Sequence, residues 1–544
     1  MYLYGMNEEI EEYYEELYRL YIDENQPLER RYRQLRESLE RVVREKIQGN
    51  SLQTTDLAAR INYVATQYGL DLKEQNQLHT FRLTSNDILN HRKSPVKEEF
   101  LRDLRAVAYA YRKMFAQDIP LKLFSVLPKQ EIASSGKKEK MEYIRRIRVC
   151  FDYADDTYLY VHPVDVIADE LIRVVYNKPG INHEFEETIK ELWRYAQLNL
   201  LDVSVDRDGI YTPSFIVLEP DYLIDISSLA ECYKDYGSHP ANYFLSRLVP
   251  IDNARPLLLG NIANLFLDEW IHAGEEEPDY IDCMKKAFRQ YPIELAACAE
   301  LRDPSKEKEF AKDCRMHFEH IRDVVQHTFL EPGYNLDKKE AVLEPSYICE
   351  ALGIQGRLDY MQRDMSSFIE MKSGKADEFS MQGKVEPKEN NKVQMLLYMA
   401  VLEYSMGQDR RRMHPYLLYT RYPLLYPARA SWAQVRRVIN LRNRIVAAEY
   451  GVQFHNHPDF TRNLLAQINP EVVNERKLSG RFWEQYLKPS ISRFREKLSA
   501  LEPLEQAYFY TLYNFITKEL YTSKSGDVDY EGRAGASALW LSTL

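Results

Sequence analysis

The sequence predicts a mixed α+β protein with a large, mainly helical N-terminal region. Three observations predict it. Apolar residues recur at three- and four-residue spacings through the first 120 residues. Short β-favouring runs appear after about Pro120 and again between Gly353 and Thr420. Long helical patterns separate those two groups of strands. With 544 residues, three or four domains are expected, beginning with a helical region over 1–120 and a mixed α/β accessory region over 121–214, with a further change of texture at 215.

Composition narrows the function classes. Lys and Arg total 72 and Asp and Glu 83, a formal net charge of −11, with 45% apolar residues. That is ordinary globular composition, neither disordered nor fibrous. An acidic whole argues against histone-like binding but says nothing about a local basic groove. The six cysteines (150, 232, 283, 298, 314 and 349) show no short-spaced pair, which argues against a disulfide scaffold and a short-spaced zinc site. No basic-then-apolar leader opens the chain and no run approaches eighteen apolar residues, so a reduced, cytoplasmic protein without a membrane span is expected. Each Gly-Lys pair (Gly136, Gly374, Gly383) lacks the Ser or Thr of a phosphate loop.

The elements follow in order. Glu8–Tyr21 and Leu28–Ile47 read as amphipathic helices, and Ser85-Asn86-Asp87 as a helix start before Ile88. Ser134–Lys138 reads as an exposed loop; Ile147–Phe151 and Thr157–His162 read as strands. Helix is expected from Glu184 to Gln197, then a strand at Phe215–Leu218 closed by Pro220. Helices continue to Phe329, with an acidic loop near Glu275–Asp279. The final apolar run, Ala536–Leu544, suggests a buried element left unfinished and hence a longer natural chain.

The chemistry concentrates in Gly353–Gly407. Ile354–Met361 and Ser367–Lys372 read as two strands joined by a turn at Gln362–Ser366. A hairpin centred between Asp364 and Met365 pairs residues whose numbers sum to 729, which puts Asp359 opposite Glu370 with Cβ atoms about 5 Å apart. Glu370 and Lys372 share a face. Two such carboxylates in a partly buried site require a cation, and Mg²⁺ or Mn²⁺ meets that need, with the Met371 carbonyl as a third ligand. Lys372 would hold an attacking water or offset phosphate charge. A plain surface hairpin with a Glu–Lys pair is the alternative. Asn391–Met406 reads as a mostly buried helix stopped by Gly407, and Gln394 and Tyr398 share one of its faces. His414–Thr420 is a third strand. Arg410–Arg444 holds nine arginines and no acid; with Tyr419, Tyr422, Tyr426 and Trp432 interleaved, it reads as a nucleic-acid track or, alternatively, a solvated helix face.

Gly356-x-x-Asp359, Glu370-x-Lys372 and Gln394-x-x-x-Tyr398 together resemble the RecB-type branch of the PD-(D/E)xK nucleases, closest to the nuclease domain of eukaryotic-type flap and end-resection nuclease–helicases. The resemblance covers about residues 215–544, including FIVLEPDYLIDISSLAECY, RPLLLGNIANLFLD, PYLLYT and FWEQYLKPSISRF. It implies a restriction-endonuclease-like core, a central mixed sheet flanked by helices, over 215–450, with 451–544 leading to a helicase. It implies Asp359 and Glu370 as metal ligands, Lys372 as catalytic, and Gln394 and Tyr398 as supporting residues. Single-stranded or flap DNA is the implied substrate and a helicase domain in the same longer chain the implied partner. On the arginine track read from the charge pattern, Arg421, Arg429, Arg436, Arg437, Arg442 and Arg444 are the expected nucleic-acid contacts. Two positions depart from the pattern. The usual Gly-x-x-x-His places a histidine where Gly260 is followed by Asn264, a weaker metal ligand. Cys232 matches an iron–sulfur cysteine, yet no cysteine follows Cys349, so no cluster is expected and Cys232 reads as a buried structural thiol.

Overall fold

The computed structural model describes residues 2–47, 56–128, 142–166, 170–249, 255–334, 336–379, 384–429, 431–455 and 457–525. The fold is mixed α+β, and no described helix is long and apolar enough to cross a membrane. The expected loop at Ser134–Lys138 and the apolar run Ala536–Leu544 lie outside the described residues. The chain forms two compact units. One comprises 1–222, 446–460 and 510–544; the other comprises 223–445 and 461–509. The expected boundaries at 214 and 450 therefore fall at 222 and 445, and the stretch 451–544 is divided between the two units instead of standing alone.

Among the described residues the first unit opens with long helices, α1 (Tyr2–Ile22), α2 (Leu28–Ile47), α3 (Leu57–Gln67), α4 (Leu72–Leu89) and α5 (Lys97–Phe115), followed by a single turn of helix at Leu121–Phe124. On α2, Tyr32, Leu35, Leu39, Val42 and Val43 fall at three- and four-residue spacing and are fully buried against Phe81, Phe100 and Tyr111. Helix α4 does not start at Ser85. Asp71 caps it through the Glu74 N–H, and Glu74 bonds back to the Asp71 N–H. Ser85 and Asn86 instead lie inside the helix, where their side-chain oxygens receive the Arg36 guanidinium.

The expected accessory region is a closed barrel. Its strands are β1 (Glu142–Ala154), β2 (Tyr158–Pro163), β3 (Ile172–Val175), β4 (Gln197–Val205), β5 (Ile210–Thr212) and β6 (Phe215–Leu218). Hydrogen bonding runs β1-β2-β3-β5-β4, and β1 pairs with β4 as well, which closes the ring; β6 adds beside β4. Only β3 and β5 are parallel in that ring. Five strands in this order are the arrangement of OB-type barrels. The 13-residue β1 serves two neighbours by bending at a bulge between Phe151 and Tyr153. The helix expected over 184–197 is reduced to a 3₁₀ turn and the five residues of α6 (Glu186–Lys190), because Gln197 onward is needed as a strand.

Among the described residues the second unit holds a three-stranded and a five-stranded sheet, besides a two-stranded pairing of Asp377–Phe379 with Lys384–Glu386. The first contains β7 (Ile224–Asp225), β9 (Ser346–Cys349) and β10 (Ile354–Arg357). The second contains β8 (Ala341–Leu343), β11 (Tyr360–Gln362), β12 (Ser367–Lys372), β13 (His414–Tyr419) and β14 (Leu424–Pro427), in the order β14-β13-β12-β11-β8. It is a mixed sheet, since β12 and β13 are parallel and the other pairs antiparallel. A parallel pair needs a crossover, which includes the helix Glu389–Met406. Its longer helices include α7 (Arg255–His272), α8 (Pro304–Gln326) and α9 (Glu389–Met406), and α10 (Trp432–His455) begins in it. Ile369 and Met371 of β12 join a buried cluster with Ile262, Phe266 and Phe318 of α7 and α8.

Candidate active site

Two strand registers meet at Asp359. β11 pairs with β12 as Tyr360↔Ile369 and Met361↔Phe368, the expected sum of 729. It also pairs with β8 as Tyr360↔Leu343, a sum of 703. Extended by one residue, the first register sets Asp359 opposite Glu370 and the second sets it opposite Glu344. Backbone bonds hold both approaches: the Met371 N–H donates to Asp359 Oδ2 at 2.6 Å, and the Glu344 N–H donates to the Asp359 carbonyl at 3.1 Å.

The single strand expected over Ile354–Met361 is two. β10 stops at Arg357 in one sheet and β11 starts at Tyr360 in the other, so Leu358 and Asp359 form the bend between sheets. Gln362 ends β11, which shortens the hairpin turn to residues 363–366. Gly356 has its own reason here. A Cβ at that position would lie 3.0 Å from Ile226 Cδ1 and 3.1 Å from the Tyr398 hydroxyl. The missing side chain leaves room for Tyr398, whose hydroxyl donates to the Arg357 carbonyl at 2.5 Å.

Because Ile369 and Met371 face the α7–α8 cluster, strand alternation sends Glu370 and Lys372 to the opposite face. There Gln394 of α9 joins them. Lys372 Nζ donates to Glu370 Oε1 at 2.8 Å and to Gln394 Oε1 at 2.9 Å, and Gln394 Nε2 donates to Glu370 Oε1 at 2.6 Å. The second carboxylate oxygen, Glu370 Oε2, is buried without a hydrogen-bond partner. The Glu370 side chain is 5% exposed and that of Lys372 27%, so solvent reaches the site from the lysine side.

Burial, reinforced by the Asp359 charge, pushes the Glu370 carboxyl up to about 8 despite Lys372. Burial also raises Asp359, against the opposing effect of the Met371 N–H and Lys372. Desolvation pulls the Lys372 ammonium down, but Glu370 and Asp359 outweigh it and the net shift is upward. At about 5 Å and an effective dielectric near 20, two ionised carboxylates repel by about 3 kcal/mol. The pocket is short of positive charge.

The structure adds carboxylates that the sequence reading missed. Asp268 on α7 is raised to about 6 by burial first, then by Glu344 and Asp359. Glu344 lies at φ +49°, uncommon for a residue with a side chain, and pairs with Arg357 at 3.0 Å. Only the long-range pairing of β8 with β11 brings Glu344 here. Asn264, one turn before Asp268 on α7, is half-buried, and no described hydrogen bond joins it to Asp359 or Glu370. Among the described residues, no group of three or more His, Cys, Asp or Glu side chains is gathered to hold a metal ion.

No protein-family model matches the chain, and no curated protein matches it. The site therefore stands on its own geometry.

The arginine stretch is not one exposed track. Arg442 is fully buried, its Nε donating to the Gly353 carbonyl at 3.1 Å, and Gly353 sits at φ +65° with no room for a Cβ against that guanidinium. Its expected role on DNA is therefore corrected to a structural one. Arg436 is buried as well. Tyr419 is buried too; its hydroxyl accepts from the Lys388 N–H at 3.0 Å and from Asn391 Nδ2 at 2.6 Å, so its ring is not a base-stacking surface. Arg410 pairs with Glu403 and Arg411 with Asp409. Arg429 and Arg437 are exposed, and Arg421 and Arg444 partly so. Cys232 is buried, its thiol bonded to the Ser228 carbonyl and pushed up to about 12 by burial.

Proposed function

We propose that the chain is a metal-dependent phosphodiesterase of the PD-(D/E)xK kind that cuts single-stranded or flap DNA, as the nuclease portion of a nuclease–helicase in replication or repair. One observation carries the reading: Asp359 and Glu370 are brought side by side in a buried pocket where the Lys372 ammonium is bound to Glu370 and Gln394. A surface hairpin with a solvated Glu–Lys pair does not fit that burial.

The residues fit a hard divalent ion. Glu370 Oε2 is an orphaned buried oxygen, and the crowded carboxyls need positive charge. Asp359 and Glu370 would hold Mg²⁺ or Mn²⁺, with the Met371 carbonyl and Asn264 as the further oxygens that the resemblance implies. When bound, such an ion makes a coordinated water a better nucleophile and offsets phosphate charge. Lys372, open to solvent on one side, orients the attacking water and faces the charge that builds on the phosphate oxygens. Gln394 fixes Lys372 and Glu370 against each other. Tyr398 pins the end of β10 and with it the bend at Asp359. Arg429 and Arg437, with Arg421 and Arg444, are the remaining candidates for phosphate contacts.

A second reading, a non-catalytic DNA-binding or docking module with this fold, is favoured by Asn264 standing where the resemblance expects a histidine ligand. Calorimetric titration with Mn²⁺, alongside turnover of end-labelled flap DNA, separates the two. The nuclease reading expects Mn²⁺ binding and cleavage in the wild type, and loss of both in Asp359→Ala. A folded wild type that binds DNA but neither takes up Mn²⁺ nor cuts would establish the docking module.

A further inference from the structure

The barrel of the first unit carries a surface that the nuclease reading does not use. Tyr153 of β1 stands opposite Tyr160 of β2, and Tyr160 opposite Arg173 of β3, so the three side chains form one row across three strands. The two tyrosine rings stack at 4.3 Å between centroids with planes 12° apart, and Tyr158 meets Tyr160 edge-on. Tyr153 is 49% exposed. In OB-type barrels, the face of the second and third strands with its flanking turns takes oligonucleotides and oligosaccharides.

The turns at this face are acidic. The β1–β2 turn carries Asp155 and Asp156, and the β4–β5 turn carries Asp206 and Asp208 against Arg207. Asp155 is held ionised by the Tyr158 and Thr157 N–H groups and the Tyr160 hydroxyl. Asp156 is exposed, and no side-chain bond is described for it. A polyanion would be repelled at this rim, which separates the face from the cationic grooves that take single strands. A guanidinium is suited to it, because it stacks on tyrosine and pairs with carboxylates. Arg173 shows the aromatic half of that fit, lying 5.9 Å from the Tyr158 ring centroid, while its guanidinium donates to the Asp208 backbone carbonyl at 3.0 Å and leaves the turn carboxylates to other cations.

We propose that the Tyr153–Tyr160 face of the barrel docks an arginine-bearing segment of a partner protein. The test is fluorescence anisotropy on the full chain with a labelled peptide of alternating arginine and glycine. Tyr153→Ala and Asp156→Lys both lie at exposed positions, and thermal melts check that they stay folded. The expected result is peptide binding that weakens with salt, falls about fivefold or more in each variant, and falls similarly when lysine replaces arginine in the peptide. Three results would overturn the proposal: no peptide binding by the wild type, equal binding by both folded variants, or an oligothymidylate that binds in the peptide's place and is lost in Tyr153→Ala. Cleavage by the second unit is measured in parallel and is expected to be unchanged, so the docking face and the nuclease stand or fall separately.

Discussion

The carboxylate of Asp359 accepts the backbone N–H of Met371 at 2.6 Å. That bond ties the bend between two sheets to the strand bearing Glu370 and Lys372, and it holds the two acids on one face. The site depends on this tie and on the Lys372–Glu370–Gln394 network, and the predictions below separate their contributions.

Lys372→Ala is expected to lower DNA cleavage by about 100-fold or more while leaving DNA affinity within about twofold, because the ammonium acts on charge that appears only in the transition state. Single-turnover cleavage and filter binding on the same preparation check it. Equal losses in both would make Lys372 a binding residue.

Glu370 sets the pH behaviour. Its carboxyl is raised in the folded chain to about 8 from an ordinary 4.5. A raised carboxyl contributes stability that is present below the unfolded value and is lost as pH rises through the folded one. Without divalent ions, the melting temperature should therefore fall between about pH 5 and pH 8, and fall less in Glu370→Gln. Mn²⁺ at the upper end of that window should restore the wild type and not the variant. Differential scanning calorimetry across the pH series reads this directly.

Arg442 and Arg437 should part company. Arg442→Ala removes a fully buried guanidinium and its bond to the Gly353 carbonyl, which keeps the Ile224 N–H, at an expected cost of about 3 kcal/mol. Arg437→Ala, at an exposed position, should leave the melting temperature within about 1 °C and weaken DNA binding with a smaller salt slope. Chemical denaturation and salt-dependent binding distinguish them.

Gly356→Val should destabilise the second unit and reduce cleavage, since its side chain meets Ile226 and Tyr398 at close range. Tyr398→Phe alone should cost about 1 kcal/mol for the lost bond to the Arg357 carbonyl. Because both changes act on the same contact, the double variant should lose less than the sum. Urea titrations of the four proteins give the coupling.

Local patterns were legible in the sequence where a single element decides them. The hairpin register, the helix ending at Gly407 and the strand at His414–Tyr419 follow from alternation, spacing and a C-terminal glycine. Asp359 opposite Glu370 came from a turn position alone. Long-range relations were not legible. Glu344 reaches Asp359 through the pairing of β8 with β11, and the break at Leu358 exists because one segment serves two sheets. The buried state of Arg442 depends on a glycine 89 residues away. The barrel escaped for the same reason, since its closure rests on β1 pairing with β4 across the intervening strands. Ser85-Asn86-Asp87 misled because residues that cap helices can also satisfy a buried arginine from within one.

The most direct test is a gel assay of end-labelled single-stranded and flap DNA with Mn²⁺, with Mg²⁺ and with EDTA, run on the wild type and Glu370→Gln. Cutting that requires the metal and disappears in the variant, with the variant still folded and DNA-bound, is the predicted result. Cutting that persists in Glu370→Gln or in EDTA would contradict a site built on Asp359, Glu370 and Lys372.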